Sequence, residues 1–244
     1  MRLTWIAAGL AVCAAPALAV VGPAATGGRF AAQAIMVLKT EGGRAGFCSG
    51  VVVAPDVVLT AAHCAGGKSN MRVHFRDSSG KPVLIEVADV AVHPGFRPDA
   101  QKTRERTVDL ALVRGNRPLP APFAAATLDD SGAVALGDRF LIAGYGVARF
   151  GAGETSGTLR TGELETRAPL SKVLLWAKDA GGKGTGACTG DSGAPIFDAT
   201  GGKVIAITAW ADGAGKAFCG SLTQGTLVAP HRAWIADVLR RWGE

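Results

Sequence analysis

Short apolar runs, each stopped by Gly, Pro or Asp, recur along this chain and constrain its fold more than any other feature. They are Ala34–Lys39, Ser49–Val53, Val57–Thr60, Val83–Val92, Leu110–Val113, Arg139–Ala143, Lys172–Ala177, Ala194–Asp198, Lys203–Trp210 and Leu222–Val228. Punctuation of this kind predicts strands. Closely spaced strands with turn signals between them fit a barrel or a sandwich. One helical pattern stands apart, at the very end. After Pro230, the residues Trp234, Ile235, Val238, Leu239 and Trp242 recur at three- and four-residue steps, and Gly243 ends the run. That stripe predicts a C-terminal amphipathic helix packed on a β domain.

The chain has 244 residues, enough for one large domain or two small ones. Hydrophobic residues are 48% of it, which allows a sizeable core. Gly is frequent, at 34 residues, while aromatics are 6%, which favours turns and short strands over long helices. Asn116–Ala126, rich in Pro and Ala, suits a connection between two halves, and Gly151–Gly162 reads as a mobile loop. The net charge of +6 points only weakly to an acidic partner. Arg97, Lys102, Arg104 and Arg106 cluster, but Asp99 and Glu105 share their loop. A solvated loop follows, and nucleic-acid binding does not.

The first residues read as a secretory leader. Arg2 precedes an apolar run from Trp5 to Val12, and Ala17-Leu18-Ala19 is a small-x-small cleavage site. Residues 1–19 are therefore expected to be removed, leaving a chain from 20 to 244 that is secreted or periplasmic. The apolar run is too short to span a bilayer, so no stable membrane insertion is expected after cleavage. The mature chain keeps Cys48, Cys64, Cys188 and Cys219. An even number in an exported chain suggests disulfides. Four cysteines allow three connectivities, of which the local one, Cys48–Cys64 with Cys188–Cys219, is adopted. No C-x-x-C pair is present and only one of four histidines is well placed, so neither a metal nor another cofactor is expected.

Three segments carry chemistry. The first is Gly190-Asp191-Ser192-Gly193-Ala194-Pro195. A serine hydroxyl attacks well only when a base takes its proton and donors hold the resulting oxyanion. Glycine beside it lets backbone N–H groups converge. On its own this segment is equally a plain Asp-Ser-Gly turn. The second is Leu59-Thr60-Ala61-Ala62-His63-Cys64, a histidine beside a cysteine after an apolar strand. The third is Asp109 at the head of the strand Leu110–Val113, which alone would read as an ordinary strand-edge aspartate.

Together, in the order His, Asp, Ser, these segments resemble the chymotrypsin/trypsin-like serine peptidase family. Other segments extend the resemblance over nearly the whole mature chain. Cys48-Ser49-Gly50 with Cys64 resembles the family's disulfide around the histidine. Val92-His93-Pro94 resembles the approach to the aspartate. Ala143-Gly144-Tyr145-Gly146 is similar to a Gly-Trp-Gly strand end, with Tyr145 in place of Trp. Cys188 and Cys219 resemble the disulfide that braces the substrate pocket.

The resemblance implies an all-β fold: two packed six-stranded antiparallel β-barrels, approximately 20–122 and 123–244, with a C-terminal α-helix and the active site between the barrels. It implies Ser192 as nucleophile, His63 as general base and Asp109 as the group that orients His63. The N–H groups of Gly190 and Ser192 would form the oxyanion hole. Protein or peptide substrates, cut by a monomer, follow from the same likeness.

Family spacing places Gly186 at the floor of the specificity pocket, six residues before Ser192, with Ala209, Trp210, Ala211 and Gly225 as walls. Without an acidic residue at the floor, a buried Lys or Arg of the substrate would lack a partner. Small or medium apolar residues before the scissile bond are expected instead. Ala209 stands where the family has a serine that bonds the catalytic aspartate. Cleavage after Ala19 would expose Val20-Val21-Gly22, similar to the family's apolar N-terminus, whose ammonium pairs with the aspartate before the serine, here Asp191. Pro23 departs from that pattern.

Competing readings are a peptidase-like binding protein without catalysis, an α/β-hydrolase esterase and an adhesive β protein. The first lacks support because all three catalytic-type residues are present. The second requires G-x-S-x-G, where Ala194 replaces the last Gly, and a different residue order. The third does not explain three ordered segments.

Overall fold

The computed structural model describes residues 20–22, 24–103, 105–213 and 218–244. The leader expected at 1–19 lies outside these. A two-residue strand, β1 (Ala25–Thr26), comes first. Six strands follow: β2 (Ala34–Glu41), β3 (Arg44–Ala54), β4 (Val57–Thr60), β5 (Met71–Arg76), β6 (Pro82–Val92) and β7 (Ala111–Gly115). They close on themselves in the order β2-β3-β4-β7-β6-β5, every pairing antiparallel. Closure leaves no free edge, which suits short strands that bury one face.

The second half contains β8 (Thr127–Leu128), β9 (Arg139–Gly144), β10 (Arg160–Thr166), β11 (Leu174–Asp179), β12 (Pro195–Asp198), β13 (Lys203–Asp212) and β14 (Leu222–Leu227). The ring β9-β10-β11-β14-β13-β12 closes because β12 also pairs with β9. Two six-stranded antiparallel barrels result. The strand β8 adds a parallel edge to β13, and β1 adds an antiparallel one to β10. Residues 20–26, although first in the chain, thus belong spatially with the second barrel. A bridge between Val21 and Gly186 extends that attachment.

The final helix spans Arg232–Trp242, preceded by one 3-10 turn (Ala229–His231) and ended by Gly243 at φ +85°. Its buried residues, Ile235 and Val238, join a core cluster containing Val51, Leu59 and Leu112 of the first barrel and Phe197, Val204 and Ile207 of the second. The barrels are therefore fused through a common apolar core, not merely tethered.

Besides the two-residue strands β1 and β8, two barrel strands were invisible as apolar runs. The strand β5 reads MRVHFR, and only its alternate residues Met71, Val73 and Phe75 turn inward. The strand β10 begins inside the segment expected to be a mobile loop, Gly151–Gly162, which corrects that reading. Its interior residues are Arg160, Gly162, Leu164 and Thr166, so the run carries a single large apolar side chain. The stretch Asn116–Ala126 does join the two halves, with no strand of its own.

Candidate active site

His63 sits in a 3-10 turn (Ala62–Cys64) immediately after β4. Asp109 lies just before β7, which pairs with β4, so the ladder brings the two side by side. The His63 backbone N–H donates to Asp109 Oδ1 at 2.9 Å, and His63 Nδ1–H donates to Oδ2 at 2.7 Å. A carboxylate only accepts, so the proton must lie on Nδ1, which leaves Nε2 free as a base. Asp109 is 7% exposed, and both its oxygens hold His63 in one orientation. The disulfide Cys48–Cys64 anchors the same turn to β3. Cys48, His63 and Cys64 offer ligand-type atoms close together, but both sulfurs are spent in that bond.

Ser192 occupies the turn before β12. Together with His63 and Asp109 it lines one cleft of about 1100 Å³ between the barrels. The turn is clamped from the first barrel by Ser49. Its backbone N–H donates to Ser192 O at 2.8 Å, and its hydroxyl donates to Gly190 O at 3.0 Å. The same hydroxyl accepts from Tyr145 N–H at 3.0 Å. Gly190 adopts φ +93°, and a Cβ there would overlap the Phe47 ring, so neither conformation nor space admits a side chain. Among the described residues, neither Gly190 N–H nor Ser192 N–H donates to another protein group. Two donors beside a serine are thereby left for a ligand.

Asp191 is completely buried behind this turn. Its carboxylate accepts from Gly146 N–H at 2.8 Å and from Cys188 N–H at 3.0 Å. Burial pushes its carboxyl up to about 7, against the two N–H groups and nearby Arg160, which favour the charge. Val20 is also completely buried, and its Cγ1 would lie 3.0 Å from a Cβ on Gly162. Among the described residues no hydrogen bond joins Val20 to Asp191, and the Val20 nitrogen is still an amide in this 244-residue chain. Tyr145, in the position noted for Trp, donates its hydroxyl to Ala34 O across the barrel interface at 3.1 Å, and burial pushes its phenol up to about 12.

The predicted pocket residues divide. Ala209, Trp210 and Ala211 line the cleft with Ser192, as do both cysteines of the second disulfide, Cys188–Cys219. Gly186 and Gly225 lie behind it. A Cβ on Gly225 would meet Ala206 Cβ at 3.0 Å and Ile196 Cδ1 at 3.1 Å, inside the barrel core. The wall assigned to Gly225 is thus corrected: Thr223, paired with Ala211, stands beside Gly186 instead. Its hydroxyl would lie 3.2 Å from a Cβ on Gly186 and accepts from Ala187 N–H at 3.0 Å. Counting residues from Ser192 could not show this, because the register of β13 on β14 decides it. Ser49 and Thr223 are the residues that sequence reasoning missed.

The trypsin family model matches residues 19–235. The chain is 30% identical over 222 residues to Scolexin B of Heliothis virescens, covering 79% of this chain and 75% of that one. It is 29% identical over 195 residues to a trypsin-like protease of Streptomyces glaucescens, covering 69% of this chain and 66% of that protein. Among solved structures, human heparin binding protein superposes with a TM-score of 0.72 at 23% identity, over 91% of this chain and 96% of that one. The chain belongs to the chymotrypsin/trypsin-like serine peptidase family.

Proposed function

We propose that this chain is a secreted or periplasmic serine endopeptidase in which Ser192, His63 and Asp109 act as nucleophile, general base and orienting carboxylate. One observation carries the reading: the His63–Asp109 pair, with its Nε2 free, shares a cleft with Ser192 beside two unspent backbone N–H groups. In this scheme Ser192 Oγ attacks the peptide carbonyl while His63 Nε2 takes its proton. His63 returns that proton to the leaving amine, and water then hydrolyses the acyl-enzyme by the same route. The N–H groups of Gly190 and Ser192 stabilise the oxyanion, an interaction typically worth about 2.7–4 kcal/mol per donor.

Cleavage after Ala19 is proposed to release a Val20 ammonium toward Asp191. Export is supported by the two disulfides. Among the described residues no helix is long and apolar enough to cross a membrane. The division into a leader at 1–19 and a peptidase domain at 20–244 belongs to the same proposal. The preferred residue before the scissile bond is small or medium and apolar. The crowding of Gly186 by Gly220 Cα and Thr223 Oγ1, each 3.2 Å from a would-be Cβ, supports a shallow slot.

A serine-reactive phosphonate probe and a peptide panel test the reading on protein starting at Val20. Labelling and turnover that vanish in Ser192→Ala, with small apolar residues preferred, are the expected result. A wild-type protein that neither labels nor cleaves sinks it, and a preference for Lys or Arg sinks the pocket assignment.

A further inference from the structure

Arg160 lies near enough to Asp191 for its charge to act on the carboxyl. Arg160 on β10 is the cross-strand partner of Gly144 on β9, and both face the interior of the second barrel. Residues directly opposite in an antiparallel pair place their Cβ positions about 4.5–5.5 Å apart on one face. The Asp191 carboxylate fills the place of the missing Gly144 side chain: a Cβ there would overlap Oδ1 and lie 3.0 Å from Cγ. The Arg160 side chain therefore leaves the sheet into the volume that holds this carboxylate. Arg160 is 4% exposed, and its guanidinium also donates to Thr155 O at 3.4 Å. Thr155 in turn ties the loop before β10, accepting from Ala148 N–H at 2.8 Å and donating to Ala152 O at 2.7 Å.

A guanidinium this buried is costly unless an anion faces it. Among the described residues, Arg160 is the one charged group found to act on Asp191, and burial lowers the guanidinium's own pKa against that attraction. We infer that Arg160 is a built-in countercharge for Asp191: a positioning residue that favours the ionised carboxylate, and with it the order of the Gly190–Ser192 turn, even when no free amine is present at Val20. An ionised carboxylate accepts fully from both Gly146 N–H and Cys188 N–H, whereas a protonated one gives up part of that capacity. Those two bonds fix the backbone that aims Gly190 N–H and Ser192 N–H. A Val20 ammonium then adds to a standing charge pair instead of creating the order from nothing. This inference rests on the peptidase reading for its catalytic consequence but not for the charge pair itself.

The test uses two forms of the chain, one beginning at Val20 and one beginning at Ala19, which displaces the amine by a residue. Each carries Arg160, Arg160→Met, Arg160→Gln or Arg160→Lys. Asp191 titration is followed by the 13C shift of its carboxyl carbon, assigned with Asp191→Asn. In the Ala19 form, Arg160→Met and Arg160→Gln should raise the Asp191 midpoint by about one pH unit or more and lower kcat about tenfold, with KM little changed. Arg160→Lys should restore most of both, and the losses should be smaller in the Val20 form. An unmoved titration overturns the countercharge. A shifted titration with unchanged kcat overturns the positioning role. If wild-type protein neither labels nor turns over, the peptidase reading fails, while the titration still decides the charge pair.

Discussion

At the scale of single residues, Ser49 couples the two barrels at the point where chemistry is proposed. Its hydroxyl donates to Gly190 O and accepts from Tyr145 N–H, so one oxygen satisfies groups from two loops. Ser49→Ala should leave Tyr145 N–H and Gly190 O without that partner, which destabilises by about 1–3 kcal/mol. Denaturant unfolding measures that loss, and kcat should fall with it because the Gly190 peptide is less firmly held. A stability loss without any change in kcat would confine Ser49 to a structural role. Gly190→Ala is the sharper substitution. It strains a φ of +93° and drives a methyl into Phe47, so the peptide must rotate away. Loss of one oxyanion donor corresponds to about 10²–10³ in kcat, read as single-turnover acylation. The three proposed catalytic residues stand out in the sequence because each sits in a motif whose neighbours are also diagnostic: Cys64 beside His63, an apolar strand after Asp109, glycines around Ser192. Ser49 and Thr223 do not, because their roles depend on which strand lies across from them.

At the scale of elements, the C-terminal helix meets the first barrel through aromatic rings. His93 packs edge-on against His231 at 4.7 Å and against Trp234 at 4.8 Å between ring centroids. His93 Nδ1 accepts from Gly95 N–H at 3.0 Å, so that ring is neutral here. Burial pushes His231 down to about 4, helped by His93 once that ring has taken a proton and by nearby Arg106, and burial also lowers His93. Both rings thus resist a proton that the unfolded chain accepts near its ordinary value of 6.5. The contribution to stability is complete above about pH 6.5 and is lost as pH falls toward 4. Thermal unfolding across that range should show Tm falling on the acid side, with a shallower fall in His231→Phe. An identical slope in the variant would show that other groups carry the acid sensitivity. The helix itself was legible from its stripe, and most strands from their apolar runs. The strand β10 was not, since three of its four inward positions hold Arg160, Gly162 and Thr166. A strand that lines a buried polar site does not display the apolar pattern that announces strands. The sequence therefore concealed the element that carries the proposed countercharge.

At the scale of the whole molecule, the question is whether two closed barrels behave as one cooperative unit. Their shared core argues that they do. Phe30, between β1 and β2, stacks on Phe197 of β12 with ring centroids 4.3 Å apart and planes 16° from parallel. Both rings are almost fully buried, in the same cluster as Leu59 and Leu112 of the first barrel and Ile235 of the helix. Hydrogen bonds from Ser49 to Ser192 O and from Tyr145 to Ala34 O cross the same interface. Phe197→Ala removes the central ring. A large-to-small change of this kind typically costs about 3–5 kcal/mol. For a chain of this size each kcal/mol corresponds to about 2–4 °C, so Tm should fall by roughly 6–20 °C. Cooperativity makes a stronger claim than the size of that fall. Calorimetry should show one transition in the wild type and one in Phe197→Ala, with the van't Hoff and calorimetric enthalpies agreeing. Two separated transitions in the wild type would mean that the barrels fold independently. In that case the cleft would form only when they dock, and Ser49 would be acting across a hinge instead of within a single core.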